Sequence, residues 1–459
     1  MAMKTFDNFF GYVHHIPTFA FLHRASLMQR FHAGLVEKSL LLALVGVTSL
    51  MTDLGPGTRD LGTRCITEAE ALALGGLERP STLALQTLVF VVHHRILSGR
   101  FSSAFMLHGV ASRLASALRL EHEDNRLCFL ARESRRRLMW ALYMIDVSMA
   151  SSQIDSSLWM YKSDAISIQL PCNERNFEFD IPELSEPLRP PKTAASQALP
   201  PLPDSTGFLA LHVRIHFLRG RILQYTKNAV QNPQVDDIAS IPTRCAVLAG
   251  ELEAFAARLP ASFRWSEANV RLRTYSPRLC VFLMTHVWWE QCFIDLYRFA
   301  LPNLEGALPA PYAAQLEAQC PDFVQYCRRQ TYKHAMAMVG IFRLLLALDS
   351  GIPVTDLDLP ICLHQCARML HYFRQTDFYE ATALQQEPVI DSIQLCVRVL
   401  DRCIKAPATL RIRENLGSLI GRELAQLAPS VPEHTGITDA EMDGMYAVAA
   451  TVDVSLSSD

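Results

Sequence analysis

Among the residues of this sequence, the paired histidines most resemble metal ligands in type and spacing. His14 and His15 are adjacent, as are His93 and His94, and His108 follows fourteen residues later. Adjacent side chains on a helix do not share a face, so such a pair cannot easily hold one ion. No carboxylate or cysteine stands beside these histidines at ligand spacing. The pattern therefore favours structural histidines over a metal centre.

The cysteines are the other candidate ligands, and their spacing is also unsuitable. None of the twelve cysteines forms a Cys-x-x-Cys motif. Six residues separate Cys320 from Cys327 and three separate Cys362 from Cys366, without the companion ligands that zinc requires. We expect reduced cysteines in the core of an intracellular protein. We therefore predict no cofactor in this chain.

Catalytic motifs are also absent from the sequence. Gly55, Gly57 and Gly62 lack the spacing of a dinucleotide fingerprint. Neither a Gly-x-Ser-x-Gly elbow nor a His-Glu-x-x-His zinc helix occurs. Asp236 and Asp237 are adjacent but lack the third acid that a helical enzyme of isoprenoid metabolism would need to hold magnesium and diphosphate. We predict that the protein is not an enzyme.

One basic run consists of Arg132, Arg135, Arg136 and Arg137, with Glu133 among them. It could be a nuclear-import signal or a phosphate-binding patch. Alternatively, it opens an amphipathic helix, on which a glutamate and an arginine four residues apart pair on one face. The glutamate interrupts the positive charge, so we favour the structural interpretation.

The composition indicates a globular protein with a sizeable core. Half of the 459 residues are hydrophobic, 19% are charged, and the formal net charge is −3. This balance does not favour binding to phosphate backbones by the chain as a whole. The most apolar stretches, 40–51 and 83–92, are shorter than the ~20 residues of a membrane span. We predict buried helices there and no membrane contact.

Helical periodicity runs through most of the sequence. Strand-like alternation is confined to the short segment Ile166–Leu170. Three apolar stripes at three-to-four spacing are Leu107, Val110, Leu114 and Leu118; Leu138, Leu142, Ile145 and Met149; and Ile390, Ile393, Val397, Leu400 and Ile404. We predict an all-α fold, a large multi-helix domain.

A proline-rich segment divides the chain. Seven prolines occur between Pro182 and Pro203, which indicates a linker or surface loop over 182–207. It separates an N-terminal part, 6–181, from a C-terminal part, 208–427. Each part alone contains few amphipathic helices, so we predict that the two belong to one helical assembly.

The C-terminal segment 428–459 is acidic and contains no lysine or arginine. Acidic residues mixed with apolar ones are typical of disordered activation segments. Composition carries little specificity, however, and an ordinary disordered tail is the favoured interpretation.

The stretch Glu133–Asp146, ESRRRLMWALYMID, resembles the signature of the fungal-specific transcription factor domain, the middle homology region of zinc binuclear cluster regulators. That family shows an acid, two arginines, a leucine, usually two tryptophans, and an apolar helix ending in aspartate. The matching residues are Glu133, Arg136, Arg137, Leu138, Trp140 and Asp146. Met139 stands where the family usually has a tryptophan.

Four further blocks follow the same family in order and spacing, from about Phe6 to Phe177 and more loosely to Phe299. They are His15–Arg24, which resembles the entry to the domain, Ser81–Phe90, Ala104–Leu120 and Ile166–Phe177. The last resembles the family's Leu-Pro-Cys-Asp-Glu-Arg-x-Phe segment through Pro171, Cys172, Glu174 and Arg175.

The resemblance implies a regulatory domain of the fungal transcription factor type in a nuclear transcriptional regulator. We expect a pathway-specific role, for example over a secondary-metabolite gene cluster. The ten matching residues are then structural or regulatory rather than catalytic. We expect Trp140 and Leu142 to fill the core. We expect Arg137 to satisfy a carboxylate or a helix end inside the bundle.

Family members usually carry a zinc cluster or zinc fingers N-terminal to this region, whereas here the domain entry lies near Met1. We therefore expect DNA contact only indirectly or through a missing N-terminal module. Zinc is expected only if an upstream cluster is missing from the gene model. Expected partners are the transcription machinery or a DNA-binding partner, a small-molecule effector and a second copy in a homodimer. The alternative is a partner-dependent regulatory or small-molecule-binding helical module without direct DNA contact.

Overall fold

The computed structural model describes residues 1–152, 166–189, 201–234, 238–348, 356–376 and 389–427. Over these ranges the regular structure is helical, and the β pairing is limited to an isolated bridge between Gln169 and Pro187. The predicted all-α fold is confirmed. The predicted tail 428–459 and residues 190–200 of the predicted linker lie outside the described residues.

The α-helices are α1 Ala2–Asn8, α2 Arg24–His32, α3 Lys38–Met51, α4 Thr58–Gly75, α5 Thr82–Leu97, α6 Phe101–Ala117, α7 Phe129–Ser152, α8 Glu174–Glu178, α9 Phe208–Gln231, α10 Ile241–Arg258, α11 Glu267–Arg271, α12 Leu279–Tyr297, α13 Ala310–Gln319, α14 Pro321–Ala347, α15 Leu359–Arg374, α16 Val389–Leu400 and α17 Pro407–Leu427. A π-helix, Phe9–Val13, continues α1. Short 3₁₀ turns are Pro17–Phe19, Ile238–Ser240, Ala261–Phe263 and Arg298–Ala300.

A first core gathers α1 to α7. Helix α3 packs against α4 and α5, and α5 packs against α6. Phe90 on α5 lies within 5.7 Å, between ring centroids, of Phe9, Phe19 and Phe21 from the N-terminal segment. The predicted stripe on α7 is buried throughout. Sequence periodicity therefore identified the face of α7 that packs inward.

A second core gathers α9 to α17 around α12. Every residue of α12 from Leu279 to Trp288 is buried, and α9, α14 and α10 pack around the helix. On α16 the predicted stripe is largely buried: Ile393 and Leu400 are buried, whereas Ile390 and Val397 are half-exposed. The helix ends at Leu400, and Ile404 lies beyond it, buried in the first core.

Two connections join the cores. Leu209, Ala210 and Val213 at the start of α9 belong to the first core, and Leu211 and Ile215 belong to the second. Far along the chain, Ile404 and Ala406 return to the first core, and α17 packs against α5. Among the described residues, no helix is both long enough and apolar enough to cross a membrane.

Glycines permit the close crossing of α3 and α4. A β-carbon at Gly46 would lie 2.2 Å from Cγ1 of Ile66 and 3.0 Å from the carbonyl oxygen of Gly62. A β-carbon at Gly62 would lie 1.8 Å from Oγ of Ser49. Neither space can hold a methyl group unless a neighbouring side chain or one of the helices moves.

Substitution Gly46→Ala should lower the free energy of unfolding by about 1–3 kcal/mol, because overpacking forces a shift of Ile66 or of α4. Urea unfolding followed by circular dichroism measures the change. The control is Gly250→Ala on the exposed face of α10, where no atom lies within 4 Å of the added carbon. That variant should gain roughly 0.5–1 kcal/mol from helix propensity. Equal effects of the two substitutions would contradict the close crossing.

The first core also encloses an imidazole without a polar partner. His93 on α5 is buried against Phe19, with 4.5 Å between the ring centroids, and neither ring nitrogen reaches a hydrogen-bond partner among the described residues. Burial, and to a lesser extent His108, lowers the pKa of His93 to about 3. The ring is therefore neutral in the folded protein near pH 7.

This lowered pKa makes stability depend on pH. Between pH 6.5 and about 3, the unfolded chain protonates His93 while the folded chain does not. The free energy of unfolding should therefore decrease as pH falls through this window, by up to about 1.4 kcal/mol per pH unit for this group. Urea unfolding at pH 7.5 and pH 5 should show a smaller decrease for His93→Leu. The exposed control His32→Leu should behave as wild type; a His93→Leu slope equal to wild type would contradict the assignment.

Candidate functional site

The signature helix α7 buries one acid between two arginines. Glu133, Arg136 and Arg137 lie within one turn, and all three side chains are buried. Glu133 Oε2 accepts a hydrogen bond from Arg136 Nη1 at 2.7 Å, and Glu133 Oε1 accepts one from Arg137 Nε at 2.8 Å. The predicted pairing of Glu133 with Arg137 is thus present, and its spacing of four residues places both on one face.

Arg137 hydrogen-bonds to two segments that are distant from each other in the sequence. Its Nη1 donates to the carbonyl of Ala20 at 3.2 Å, and its Nη2 donates to the carbonyl of Cys172 at 2.8 Å. The guanidinium carbon lies 4.1 Å from the ring centroid of Phe177. Burial disfavours the guanidinium charge, but the carboxylates of Glu133 and Glu174 counter it and raise the pKa of Arg137 above its ordinary value. The arginine stays charged. It connects the domain entry, at Ala20, to the loop after α7, at Cys172.

Cys172 completes the same network through its backbone. Its N–H donates to Glu133 Oε1 at 2.9 Å, so one carboxylate oxygen receives both Arg137 and this amide. The thiol is buried, and burial raises its pKa well above the ordinary range. A thiol that stays protonated at neutral pH is a poor nucleophile. The role of Cys172 here is structural.

A second branch of the network runs through Arg136. Its Nε donates to Glu123 Oε1 at 2.9 Å, and its Nη2 donates to Gln169 Oε1 at 3.3 Å. Gln169 N also donates to Glu123 Oε1 at 3.0 Å. The indole N–H of the fully buried Trp140 donates to the carbonyl of Gln169 at 2.8 Å. These bonds fix the backbone of the 166–172 segment along α7.

Glu174 carries the network to the second core. Its Oε1 accepts the N–H of Leu209 at 2.9 Å, near the start of α9. A β-carbon at Gly207 would lie 3.0 Å from Glu174 Oε1 and 3.1 Å from the carbonyl oxygen of Cys172, so the chain passes close to the loop. The acid satisfies an N–H in the first turn of a helix, where negative charge is favoured.

The remaining signature residues are placed as follows. Leu138 is buried in the first core, and Pro171 is buried beside Cys172. Asp146 is buried further along α7, with Oδ1 3.4 Å from His108 Nε2. Arg175 is exposed, and its backbone N–H donates to Asn173 at the start of α8. We call the network of Glu133, Arg136, Arg137, Trp140 and Cys172 the signature clamp.

Sequence analysis missed two hydrogen-bond partners of the signature clamp, Glu123 and Gln169. Glu123 lies in a polar connection among other acids, and Gln169 lies in the alternating segment. Neither carries a local pattern that identifies its partner. Ile166, Ile168 and Leu170 are buried and Ser167 is exposed, so the alternation is present although the segment forms an isolated bridge rather than a strand.

A cavity of about 310 Å³ opens beside the clamp. Arg137 and Glu174 line it together with His14, His15 and Arg278. Burial lowers the pKa of His14 to about 3 and that of His15 to about 4, so both rings are neutral near pH 7. His14 Nε2 lies 2.7 Å from the carbonyl oxygen of Leu22. The described residues contain no group of three or more metal ligands.

The model of the fungal specific transcription factor domain matches residues 6–201, which include the signature clamp. Residues 6–201 are therefore similar to a fungal specific transcription factor domain. The expected resemblance from about Phe6 is thereby confirmed, and the match extends beyond Phe177.

Several curated relatives resemble the chain at low identity. A Zn(2)-C6 fungal-type transcription factor, FTF1c of Fusarium oxysporum f. sp. lycopersici, is 25% identical over 66% of this chain and 34% of its own length. FTF2 of the same organism is 26% identical over 66% of this chain and 29% of its length. A transcriptional regulatory protein of Schizosaccharomyces pombe, C1327.01c, is 27% identical over 46% of this chain and 24% of its length.

The aligned part of this chain spans about one third, or less, of the length of these relatives. No solved structure matches the chain significantly. The matching family model and these relatives are those of transcriptional regulators, which supports the prediction that the chain is not an enzyme.

Substitution Glu133→Gln should lower the free energy of unfolding by about 3–5 kcal/mol, because it leaves two buried guanidinium groups without their shared carboxylate. Urea unfolding of the full chain measures the change. Glu267→Gln is the matched control, since Glu267 pairs with Arg271 across four residues but both side chains are largely exposed. That variant should unfold as wild type does. A Glu133→Gln variant as stable as wild type would contradict the role of the clamp.

Proposed function

We propose that this chain is the helical regulatory body of a nuclear, pathway-specific transcriptional regulator, for example one that controls a secondary-metabolite gene cluster. The observation that carries the proposal is the fungal specific transcription factor domain over residues 6–201, centred on a fully satisfied signature clamp. Relatives named as transcription factors or as a transcriptional regulatory protein support the same role.

We further propose that DNA contact comes from elsewhere, either through a zinc-cluster module outside residues 1–459 or through a DNA-binding partner. The sequence contains no Cys-x-x-Cys, and its formal net charge is −3. The arginines of the basic run also support this proposal, since Arg136 and Arg137 are buried and Arg135 donates to the carbonyl of Leu118. Any zinc would belong to that module, and the chain itself would hold no cofactor.

Because the two cores are connected, a conformational change in one core would be transmitted to the other. The clamp joins the domain entry to the loop after α7, and Glu174 joins that loop to the start of α9. A partner that contacts either core would therefore act on a continuous packed structure. Contact with the transcription machinery, and self-association, would use the outer surfaces of this body.

The direct test fuses the full chain to a heterologous DNA-binding domain and measures a reporter gene in fungal cells. Reporter transcription should rise or fall relative to the DNA-binding domain alone. The change should be absent when the reporter lacks the binding sites. Glu133→Gln should reduce it in proportion to the loss of folded protein, and Glu267→Gln should not. A reporter that does not respond to the folded fusion would contradict the regulatory role.

The proposal that DNA contact comes from elsewhere is tested separately with the purified chain. At physiological salt it should not shift a pool of genomic promoter fragments unless a DNA-binding partner is added. Sequence-specific binding by residues 1–459 alone would contradict the proposal that DNA contact comes from elsewhere, while leaving the reporter result intact.

A further inference from the structure

The cavity beside the signature clamp lies between parts of the two cores. Phe10 and Leu22 of the first core line it, and so do Arg278 and Val281 at the start of α12 in the second. Its volume of about 310 Å³ is at the lower end of the ~300–1,000 Å³ of small-molecule sites, which are mostly apolar with a few placed polar groups. A compact ligand in this cavity would contact both cores.

One cation on the cavity wall has no acid partner. Arg278 is half-exposed and directly precedes α12. Its backbone N–H donates to the hydroxyl of Ser276, whereas its guanidinium forms no hydrogen bond or ion pair with the described residues. The donors of this planar group are therefore available to an acid group in the cavity.

A carboxylate on α8 supplies the opposite charge. Glu174 is half-exposed, and its Oε1 accepts the N–H of Leu209, whereas its Oε2 accepts no hydrogen bond from the described residues. Both charges act on the imidazole of His15, whose pKa is lowered by burial to about 4: Arg278 lowers it further, and Glu174 raises it. Arg278 and Glu174 thus lie near one imidazole without forming an ion pair with each other.

The other titratable groups of the wall leave these two charges available. Arg137 already donates to a carboxylate and two carbonyls within the clamp. Burial keeps His14 and His15 neutral near pH 7. The exposed Arg24 and Glu178 add one charge of each sign. The wall is therefore balanced in charge, with its cations and carboxylates apart.

Aromatic rings form the apolar part of the wall. Phe10, Phe177 and Phe208 line the cavity, and Phe208 is half-exposed. Such rings favour contact with aliphatic or aromatic groups. The cavity thus combines an available cation, an available carboxylate and an apolar surface. This combination matches a molecule that carries an acid, an amine and an apolar body.

We propose that this cavity binds a free α-amino acid with an apolar side chain. The carboxylate of the ligand lies against Arg278, its ammonium group against Glu174, and its side chain against the aromatic wall. The planar donors of arginine match a carboxylate, and hydrogen bonds between charged groups are stronger than those between neutral ones. The inference rests on the cavity and not on the transcriptional role, since binding is a property of the purified chain and is measured without DNA.

L-Phenylalanine serves as the probe, titrated into the full chain at pH 7 and followed by isothermal calorimetry. We expect saturable binding of one molecule per chain. 3-Phenylpropionate lacks the amine, and phenethylamine lacks the carboxylate. Each should bind at least about tenfold more weakly than L-phenylalanine, because each loses one charge-assisted hydrogen bond.

Two substitutions assign the two charges. Arg278→Met should weaken L-phenylalanine binding about tenfold or more and leave the binding of phenethylamine, which has no carboxylate, unchanged. Glu174→Gln retains an oxygen for the N–H of Leu209; it should weaken L-phenylalanine binding similarly and leave the binding of 3-phenylpropionate unchanged. A merely structural effect would change the binding of every ligand. The control Arg271→Met removes an exposed arginine outside the cavity and should bind as wild type.

Several results would overturn the proposal. Absence of L-phenylalanine binding to the folded wild-type chain would refute the site. Binding of 3-phenylpropionate as tight as that of L-phenylalanine would show an anion site without a role for Glu174. Wild-type affinity in both Arg278→Met and Glu174→Gln would place the ligand elsewhere. If one variant does not fold, the other decides the question. None of these results bears on the reporter assay, so the two proposals fail separately.

Discussion

The structure depends most on one buried carboxylate. Glu133 is fully buried, and a carboxylate in that position is tolerable only with opposite charge and hydrogen bonds around it. Arg136, Arg137 and the amide of Cys172 supply them. Each arginine then uses its remaining donors on backbone or side-chain oxygens of other segments. A single charge on α7 thus specifies where the domain entry and the loop after α7 must lie.

The two cores are coupled by polar contacts as well as by apolar packing. The clamp holds the 166–175 loop against α7, and Glu174 in that loop satisfies an N–H at the start of α9. Helix α9 then contributes side chains to both cores, and the chain returns at Ile404 and Ala406 to the first. Relative movement of the cores would have to break hydrogen bonds and expose apolar surface together, which favours one connected body.

Arginines have two different environments in this fold. In the clamp, each guanidinium is matched by acceptors, so its desolvation is compensated and its position is fixed. Beside a cavity between α9 and α10, Arg214 pairs with Glu186, but its Nε has no hydrogen-bond partner among the described residues. The first arrangement compensates the cost of burying a charge, whereas the second leaves one donor unsatisfied.

Sequence alone determined the all-α class, the inward face of α7 and the Glu133–Arg137 pair, because helical periodicity places residues three or four apart on one side. It also indicated the family through ordered motif blocks. The partners of the clamp were decided by tertiary structure: Arg137 meets Ala20 across 117 residues, and Glu123 meets Gln169 across 46. No local pattern encodes such contacts, since they arise when packed helices bring distant backbone groups within hydrogen-bond distance.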